Sequence, residues 1–153
     1  MERVDIKVVE AISINEIKSF VMFPFTLYRD NPYWTPPIIQ EEIDTLDKSK
    51  NPVFKNAQSN YFLALKDGVI VGRVGVMINW VEINQLKKKK VRFGWFDVID
   101  DINVTKALMQ EVYTIGKDNK MDFVEGPVGF SNLDKAGMLI KGFEENNTMI
   151  TWY

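Results

Sequence analysis

The order of apolar and polar positions along the 153-residue chain predicts alternating strands and helices. From Arg3 to Ala11, apolar and charged side chains alternate, which is typical of a half-buried strand. Ser13 and Glu16 follow with the spacing of a capping box, and apolar residues then recur at helical intervals. We expect Pro24 to stop or kink this helix, because proline has no backbone N–H.

The middle of the chain carries the clearest β signal. Residues 61–65 and 69–78 are rich in strand-forming side chains, and Asp67-Gly68 between them suits a tight hairpin turn. Residues 91–99 predict a third strand, with Phe93, Trp95 and Asp97 on one face and Arg92, Phe96 and Val98 on the other. A short helix at 38–46, a loop at 47–59 and a connector at 79–90 complete this part.

A second amphipathic helix follows, capped by Asn103 or Thr105 and ending near residues 116–120. Residues 123–126 predict a further strand. This mixture of strands and helices indicates an α/β or α+β domain, built around one mixed sheet that spans residues 1–153. The run Thr148–Tyr153 resembles a strand that ends in two aromatic residues. It can be a simple terminal strand, the point where a domain is cut short, or a tail that pairs with another chain.

Composition removes several classes of function. The chain has no His and no Cys, which excludes a Ser–His triad, a Cys–His pair and a Cys/His zinc site, and no metal is expected. A net charge of −2 argues against nucleic acid as a partner. The chain has neither a signal peptide nor an apolar run of membrane-spanning length, so we expect a cytoplasmic protein that does not enter a membrane. The lysines at 87–90 therefore predict a solvated connection rather than an anion site.

Several long strings resemble a known family. FPFTLYRDNPYWTPP, YFLALKDGVIVGRVGVMIN, RFGWFDVIDD and GPVGFSNLDKAGMLIKGF are similar to a poorly characterised bacterial group of the GNAT-like acyl-CoA N-acyltransferase superfamily. The resemblance covers nearly the whole chain. It implies a mostly antiparallel mixed sheet flanked by helices. Members of the group are longer, so the resemblance also implies that this chain is the N-terminal part of a longer architecture.

The resemblance implies a site for acetyl-CoA or another acyl-CoA beside the strand 92–99 and the helix start after it. The residues that would form this site are Phe96, Val98, Ile99, Asn103, Thr105 and Lys106. The superfamily has a glycine-containing loop at the helix start, whereas this chain has Asp100 and Asp101, which would repel a diphosphate. The sequence therefore matches the fold of the superfamily better than it matches a diphosphate-binding site.

Asp97 is the candidate catalytic residue. Its aromatic neighbours can raise the pKa of its carboxyl group, which would suit a general base for an amine substrate. The alternative for Asp100 and Asp101 is a structural one, in which they cap the following helix.

Two further groups are candidates for binding an amine substrate. Ser131, Asn132 and Asp134 follow a predicted strand, where ligands of open sheets tend to bind, although they can equally well only form a turn. Tyr33 and Trp34 belong to an aromatic arm that can line a substrate groove, grip a partner or cover the sheet.

The leading functional hypothesis is acyl transfer from acyl-CoA to a small-molecule amine. The alternative is a non-catalytic GNAT-like module that binds a partner, including a second copy of itself through the C-terminal strand. A purely structural domain of a larger protein is a third possibility.

Overall fold

The computed structural model describes residues 5–147 of the chain. The strands are β1 (Ile6–Glu10), β2 (Ala57–Lys66), β3 (Val69–Asn79), β4 (Lys90–Val98) and β5 (Phe123–Glu125). The helices are α1 (Ile14–Leu27), α2 (Ile39–Leu46), α3 (Trp80–Leu86) and α4 (Ile102–Asp118), with a single 3₁₀ turn at Pro52–Lys55. The strand predicted at Thr148–Tyr153 lies outside the described residues.

The five strands form one sheet in the order β1-β2-β3-β4-β5. The first three pairs of neighbours are antiparallel, and β4 and β5 are parallel. This confirms the predicted α/β class with a mostly antiparallel mixed sheet. The β2–β3 hairpin turns at Asp67 and Gly68, which have φ angles of 52° and 78°, as the Asp-Gly pair predicts.

The sheet has an apolar layer on each face. Phe20 and Val21 of α1 pack with Ile43 and Leu46 of α2 on one face. Helix α4 covers the other face, where three of its side chains are completely buried against the sheet: Val104, Leu108 and Val112. Helices α1 and α4 therefore each bury one apolar side, as their sequence patterns predict.

Helix α1 begins at the predicted capping box. The Ser13 hydroxyl accepts a hydrogen bond from the Glu16 amide, and the Glu16 carboxylate accepts one from the Ser13 amide. Of the two effects expected of Pro24, a stop is wrong, because α1 contains Pro24 and continues to Leu27. Since Pro24 has no N–H to offer the carbonyl four residues earlier, another group must bind the Phe20 carbonyl.

Three boundaries differ from the sequence prediction. The connector at 79–90 contains α3, which begins where the Asn79 side chain accepts a hydrogen bond from the Val81 amide. Strand β2 begins at Ala57, inside the predicted loop at 47–59. Helix α4 is capped by Asp101, which accepts from the Asn103 amide, so Asn103 and Thr105 lie inside the first turn.

Candidate active site

Strand β4 contains a bulge next to the candidate site. Between the pairs Arg73↔Asp97 and Gly75↔Gly94, β4 has one residue more than β3, and Trp95 adopts a φ of 46°. The bulge shifts the alternation of side chains along the strand.

The faces predicted for Phe93 and Arg92 are therefore wrong. Phe93 packs with Phe96 and Val98 on the α4 side of the sheet, while Trp95 belongs to the α1–α2 side. Arg92 hydrogen-bonds the Phe130 carbonyl, whose residue also belongs to the α1–α2 layer.

Arg73 supplies the partner that Pro24 makes necessary. Its Nη1 donates a hydrogen bond to the Phe20 carbonyl oxygen at 2.8 Å. The same guanidinium group pairs with Asp97 through Nε and Nη2, each 2.8 Å from Oδ2. Arg73 is only 5% exposed, and its guanidinium carbon lies 5.0 Å from the centre of the Phe20 ring. The arginine therefore joins the interior of α1 to the carboxyl end of β4.

The other oxygen of Asp97 is bound by Tyr28. The Tyr28 hydroxyl donates to Asp97 Oδ1 at 2.7 Å. Burial raises the pKa of Tyr28 well above its usual value, and the negative charge of Asp97 raises it further. Tyr28 is consequently a neutral hydrogen-bond donor at neutral pH.

A second polar group surrounds Trp95. Its indole Nε1 donates to the Glu42 carboxylate at 2.9 Å, and that carboxylate also binds the Lys135 ammonium group. The same ammonium lies 5.6 Å from the centre of the Trp95 ring. Glu42 is 8% exposed, so its charge needs these two partners. This group connects α2 to the segment that follows β5.

The sheet opens between β4 and β5. Their paired residues end at Arg92↔Glu125, and one more hydrogen bond joins the Val128 amide to the Phe93 carbonyl. At Gly94 an added Cβ would lie 2.5 Å from the Val128 carbonyl oxygen, so the close approach requires glycine. Beyond this point no residue described here pairs with the free side of β4.

A cleft of about 450 Å³ lies at this opening, and we call it the β4 cleft. Asp97, Arg73 and Tyr28 line it together with Trp95 and Lys135. Its remaining lining residues are mostly apolar or uncharged: Pro24, Asn31, Trp34, Thr35, Pro37, Phe96, Pro127, Gly137, Met138, Leu139, Phe143 and Asn147. The crevice predicted beside the strand is therefore open, with one carboxylate among its lining residues.

Comparison with known proteins places this geometry in context. No protein-family profile matches the chain. It is 33% identical over 130 residues to Protein YghO of Escherichia coli (strain K12), covering 85% of the chain and 33% of that protein. It is 27% identical over 141 residues to the Bacterial ceramide synthase of Caulobacter vibrioides, covering 92% of the chain and 37% of that protein. The chain thus spans about a third of the length of the curated relatives it matches.

Solved structures share the fold at low sequence identity. The tandem GNAT protein from the clavulanic acid biosynthesis pathway has a TM-score of 0.57 at 10% identity, over 76% of this chain and 34% of its own. An aminoglycoside acetyltransferase from an uncultured soil metagenomic sample has a TM-score of 0.55 at 14% identity, over 81% and 78% of the two chains. This chain has a GNAT fold. The resemblance read from its sequence strings is confirmed at the level of the fold.

The helix start after β4 in this GNAT fold does not fit a diphosphate. Asp101 occupies it, with Oδ1 2.9 Å from the Asn103 amide and Oδ2 3.3 Å from the Lys66 ammonium. The bond from the Asn103 amide lowers the pKa of Asp101, and Lys66 lowers it further, so the carboxylate stays ionised at neutral pH. The first turn of α4 thus already holds an anion of its own.

The predicted residues for the acyl donor lie in three places. Phe96 lines the β4 cleft, whereas Val98 and Ile99 pack against the α4 layer. The Ile99 amide donates to the Val71 carbonyl, which holds Ile99 on the β3 side of the strand end. The remaining three lie in the first turns of α4 and are not among the lining residues of the cleft: Asn103, Thr105 and Lys106.

The predicted substrate residues are also divided. Trp34 lines the cleft and packs on Phe25 and Tyr28, with ring centres 5.1 and 5.4 Å apart. The backbone carbonyl of Tyr33 accepts a hydrogen bond from the Asn147 amide, and Tyr33 does not line the cleft.

The three loop candidates form a turn outside the cleft lining. Asp134 accepts a hydrogen bond from the Ser131 amide, and the Asn132 side chain accepts one from Arg92 Nη2. Arg92 also donates to the Phe130 carbonyl and is 2% exposed. The turn is thereby attached to β4, and its polar side chains are engaged within the protein.

Sequence reasoning missed Arg73, Glu42 and Lys135 as site residues. The sequence contains a signal for Arg73, since a single arginine within the apolar run 69–78 must find a partner when the strand is buried. Glu42 and Lys135 lie on elements distant in sequence, and no local pattern connects them.

Two further findings concern the described residues. In residues 5–147, no cluster of three carboxylate groups is arranged to hold a metal ion. No helix in that range has the length and apolar character needed to cross a bilayer.

Proposed function

We propose that this chain transfers an acyl group from a thioester to an amine in the β4 cleft. The observation that supports this most directly is the opening between β4 and β5 with Asp97, Tyr28 and Arg73 lining it. The GNAT fold agrees with this chemistry, because the neighbours named above include an acetyltransferase.

In the proposed reaction, the amine nitrogen attacks the thioester carbonyl, an amide bond forms and the carbon–sulfur bond breaks. Asp97 attracts the incoming ammonium group and accepts one of its protons before the attack, and the second proton, released from the nitrogen as the amide forms, passes to the leaving thiolate. Arg73 fixes the carboxylate in place, and Tyr28 donates to it from the opposite side. The cleft thus acts mainly by positioning the two substrates and by attracting the charged amine. This chemistry needs neither histidine nor cysteine.

Replacing Asp97 by Asn tests the assigned role. We expect the D97N variant to lose about 10²–10⁴-fold in kcat/KM for amine acylation, because the amide cannot accept the proton. D100N is the matched control, since Asp100 is an exposed carboxylate near the same strand end. A D97N variant that folds and retains activity within threefold of D100N would remove Asp97 from the mechanism.

The donor is proposed to be an acyl thioester that is recognised without its diphosphate. The Asp101 carboxylate occupies the helix start where a diphosphate would bind. We therefore expect an acyl-N-acetylcysteamine thioester, which has no diphosphate, to support kcat/KM within about tenfold of the matching acyl-CoA. A much larger preference for acyl-CoA would show that a diphosphate site exists elsewhere.

An apolar chain on one of the substrates is also proposed. Met138, Leu139 and Phe143 line the β4 cleft although each is more than half exposed, which leaves apolar surface for a substrate to cover. One relative is named a ceramide synthase, and a ceramide is the amide of a fatty acid with a long-chain amino alcohol. We expect long-chain thioesters and amines to be preferred over acetyl thioesters and short amines, as competition assays would measure.

A non-catalytic binding module is the second candidate. It is favoured by the fact that both oxygens of Asp97 already have partners in the protein. This candidate predicts saturable binding of a thioester with no amide product for any chain length. Product detection by mass spectrometry distinguishes the two functions.

A further inference from the structure

A second cleft lies on the same face of the sheet, away from β4. Its volume is about 400 Å³, within the range of small-molecule sites. The start of α1, the end of α2 and strand β2 enclose it, through Ile17, Leu46 and Tyr61 among others. Neither Asp97 nor any other polar residue of the β4 cleft lines it.

The buried part of this second cleft contains two hydroxyl groups without partners. Ser59 and Tyr61 both line the cleft and are each 2% exposed. Neither the Ser59 Oγ nor the Tyr61 hydroxyl has a hydrogen bond with another group of the protein. Burial raises the pKa of Tyr61, so its hydroxyl is neutral at neutral pH. Buried hydroxyls in proteins are normally hydrogen-bonded, so these two point to a missing partner.

The surroundings restrict the chemistry of that partner. The buried lining residues besides the two hydroxyl residues are Ala11, Ile43 and Leu46, none of which carries a charge. A charged group placed among them would lose its hydration without gaining a counter-charge. An uncharged hydroxyl or carbonyl group can instead bind either hydroxyl, because rotation about the Cα–Cβ bond of Ser59 redirects its Oγ.

The rim of the cleft supplies the apolar contacts. Ile12 is 78% exposed and Ile14 is 56% exposed, and both line the opening. The charged lining residues are Glu10, Asp47 and Lys48, and none of the three is buried. The Asn60 side chain already donates a hydrogen bond to Glu10 Oε1 at 2.8 Å. We propose that the second cleft binds a small uncharged molecule that has an apolar body and one hydroxyl or carbonyl group directed at Ser59 and Tyr61. This proposal is independent of acyl transfer.

Four ring compounds of similar shape test the proposal on the full chain. Benzyl alcohol is the probe, toluene lacks the polar group, and benzylamine and benzoate carry opposite charges at neutral pH. In titrations followed by amide NMR, we expect benzyl alcohol to bind most tightly, with shifts concentrated at Ala11, Ser59 and Tyr61. Equal affinity for toluene, tighter binding of either charged compound, shifts elsewhere, or no binding of benzyl alcohol would each overturn the proposal.

Removing single hydroxyl groups provides the second arm. We expect S59A or Y61F to lower the affinity for benzyl alcohol by about tenfold. The affinity for toluene should not change, since only the alcohol forms the hydrogen bond. Both variants should unfold no earlier than the parent chain, because each removes a buried hydroxyl without a partner. D118N, on the far face of α4, is the control and should bind all four compounds as the parent does. Unchanged alcohol affinity in both hydroxyl variants would overturn the proposal.

Discussion

At the scale of single residues, Arg73 connects parts of the chain that are far apart in sequence. It lies on β3, binds the carbonyl that Pro24 leaves free in α1, and pairs with Asp97 on β4. A buried arginine with two acceptors satisfies groups that would otherwise be unpaired. Arg73 thereby links the carbonyl that Pro24 leaves free in α1 to the Asp97 carboxylate on β4.

Replacing Arg73 by Met tests this connection. We expect R73M to lower the free energy of unfolding by about 3–5 kcal/mol, because it leaves the Asp97 carboxylate and the Phe20 carbonyl without this partner. R29M, at an exposed arginine in the arm after α1, should change stability by less than about 0.5 kcal/mol. Urea unfolding of both variants measures the difference, and equal stabilities would contradict the role given to Arg73.

Sequence reasoning could select Asp97 but not its partners. Asp97 stands out because a carboxylate among aromatic residues at a strand end needs a partner. The identity of that partner depends on the register of β3 against β4, which the bulge at Trp95 changes. The contact of Tyr28 with Asp97 has no local signal either, since it depends on how α1 crosses the sheet.

At the scale of elements, the start of α4 determines what the end of β4 can bind. The sequence offered two roles for Asp101, and the structure assigns it the role of helix cap. The same pattern led to Asn103 and Thr105 as caps, because several polar residues in a row give competing cap positions. The end of β4 and the position of Lys66 decide which of these residues caps α4.

The cap can be tested by D101A and D101N. We expect D101A to lower the midpoint of urea unfolding, because the Asn103 amide loses its acceptor and Lys66 loses its ion pair. D101N should retain most of the stability, since an asparagine oxygen can also cap. D100A is the control and should resemble the parent chain. Equal midpoints for D101A and D100A would contradict the capping role.

Gly94 governs the contact between β4 and the segment after β5. We expect G94A to lower the free energy of unfolding by about 1–3 kcal/mol, because its Cβ would meet the Val128 backbone. Chemical denaturation measures the stability, and amide NMR shows whether Val128 and Gly129 shift. A variant as stable as the parent, with unchanged spectra, would contradict the close approach.

At the scale of the whole molecule, ion pairs attach the short β5 to the sheet. The Glu125 carboxylate accepts hydrogen bonds from Lys90 at 2.6 Å and Arg92 at 2.8 Å. Burial acts to raise the pKa of Glu125, but these two cations outweigh it and hold the pKa below 4.5. The folded state therefore binds the proton more weakly than the unfolded chain does. The resulting stabilisation is present above pH 4.5 and is lost as the pH falls through the lower pKa of the folded state.

E125Q should show the loss of this stabilisation. At pH 7 we expect the variant to be less stable than the parent, and the gap should narrow as the pH falls below about 4.5. E41Q, at an exposed residue of α2, should follow the parent at each pH. Thermal unfolding over a series of pH values gives the comparison, and a gap that stays constant would contradict the assignment.

The general architecture was more predictable than the site because it depends on local patterns. The hairpin, the capping box and the apolar faces of α1 and α4 are each encoded within fewer than twenty consecutive residues. By contrast, α3 is only 7 residues long and follows a strand directly, which is too short a segment for a clear helical pattern. The contact of Lys135 with Glu42 spans 93 positions, which no periodicity can indicate.

The packing of α4 on the far face of the sheet has a practical consequence. The second cleft opens on the side of α1 and α2, and the β4 cleft opens at the carboxyl end of β4. The chain contains no cysteine and therefore no native thiol. A single cysteine introduced at Asp118 would therefore accept one fluorophore or one surface linker, in known stoichiometry, without competing for either opening. Immobilised or labelled in that way, the protein would present both clefts to solution for direct measurement.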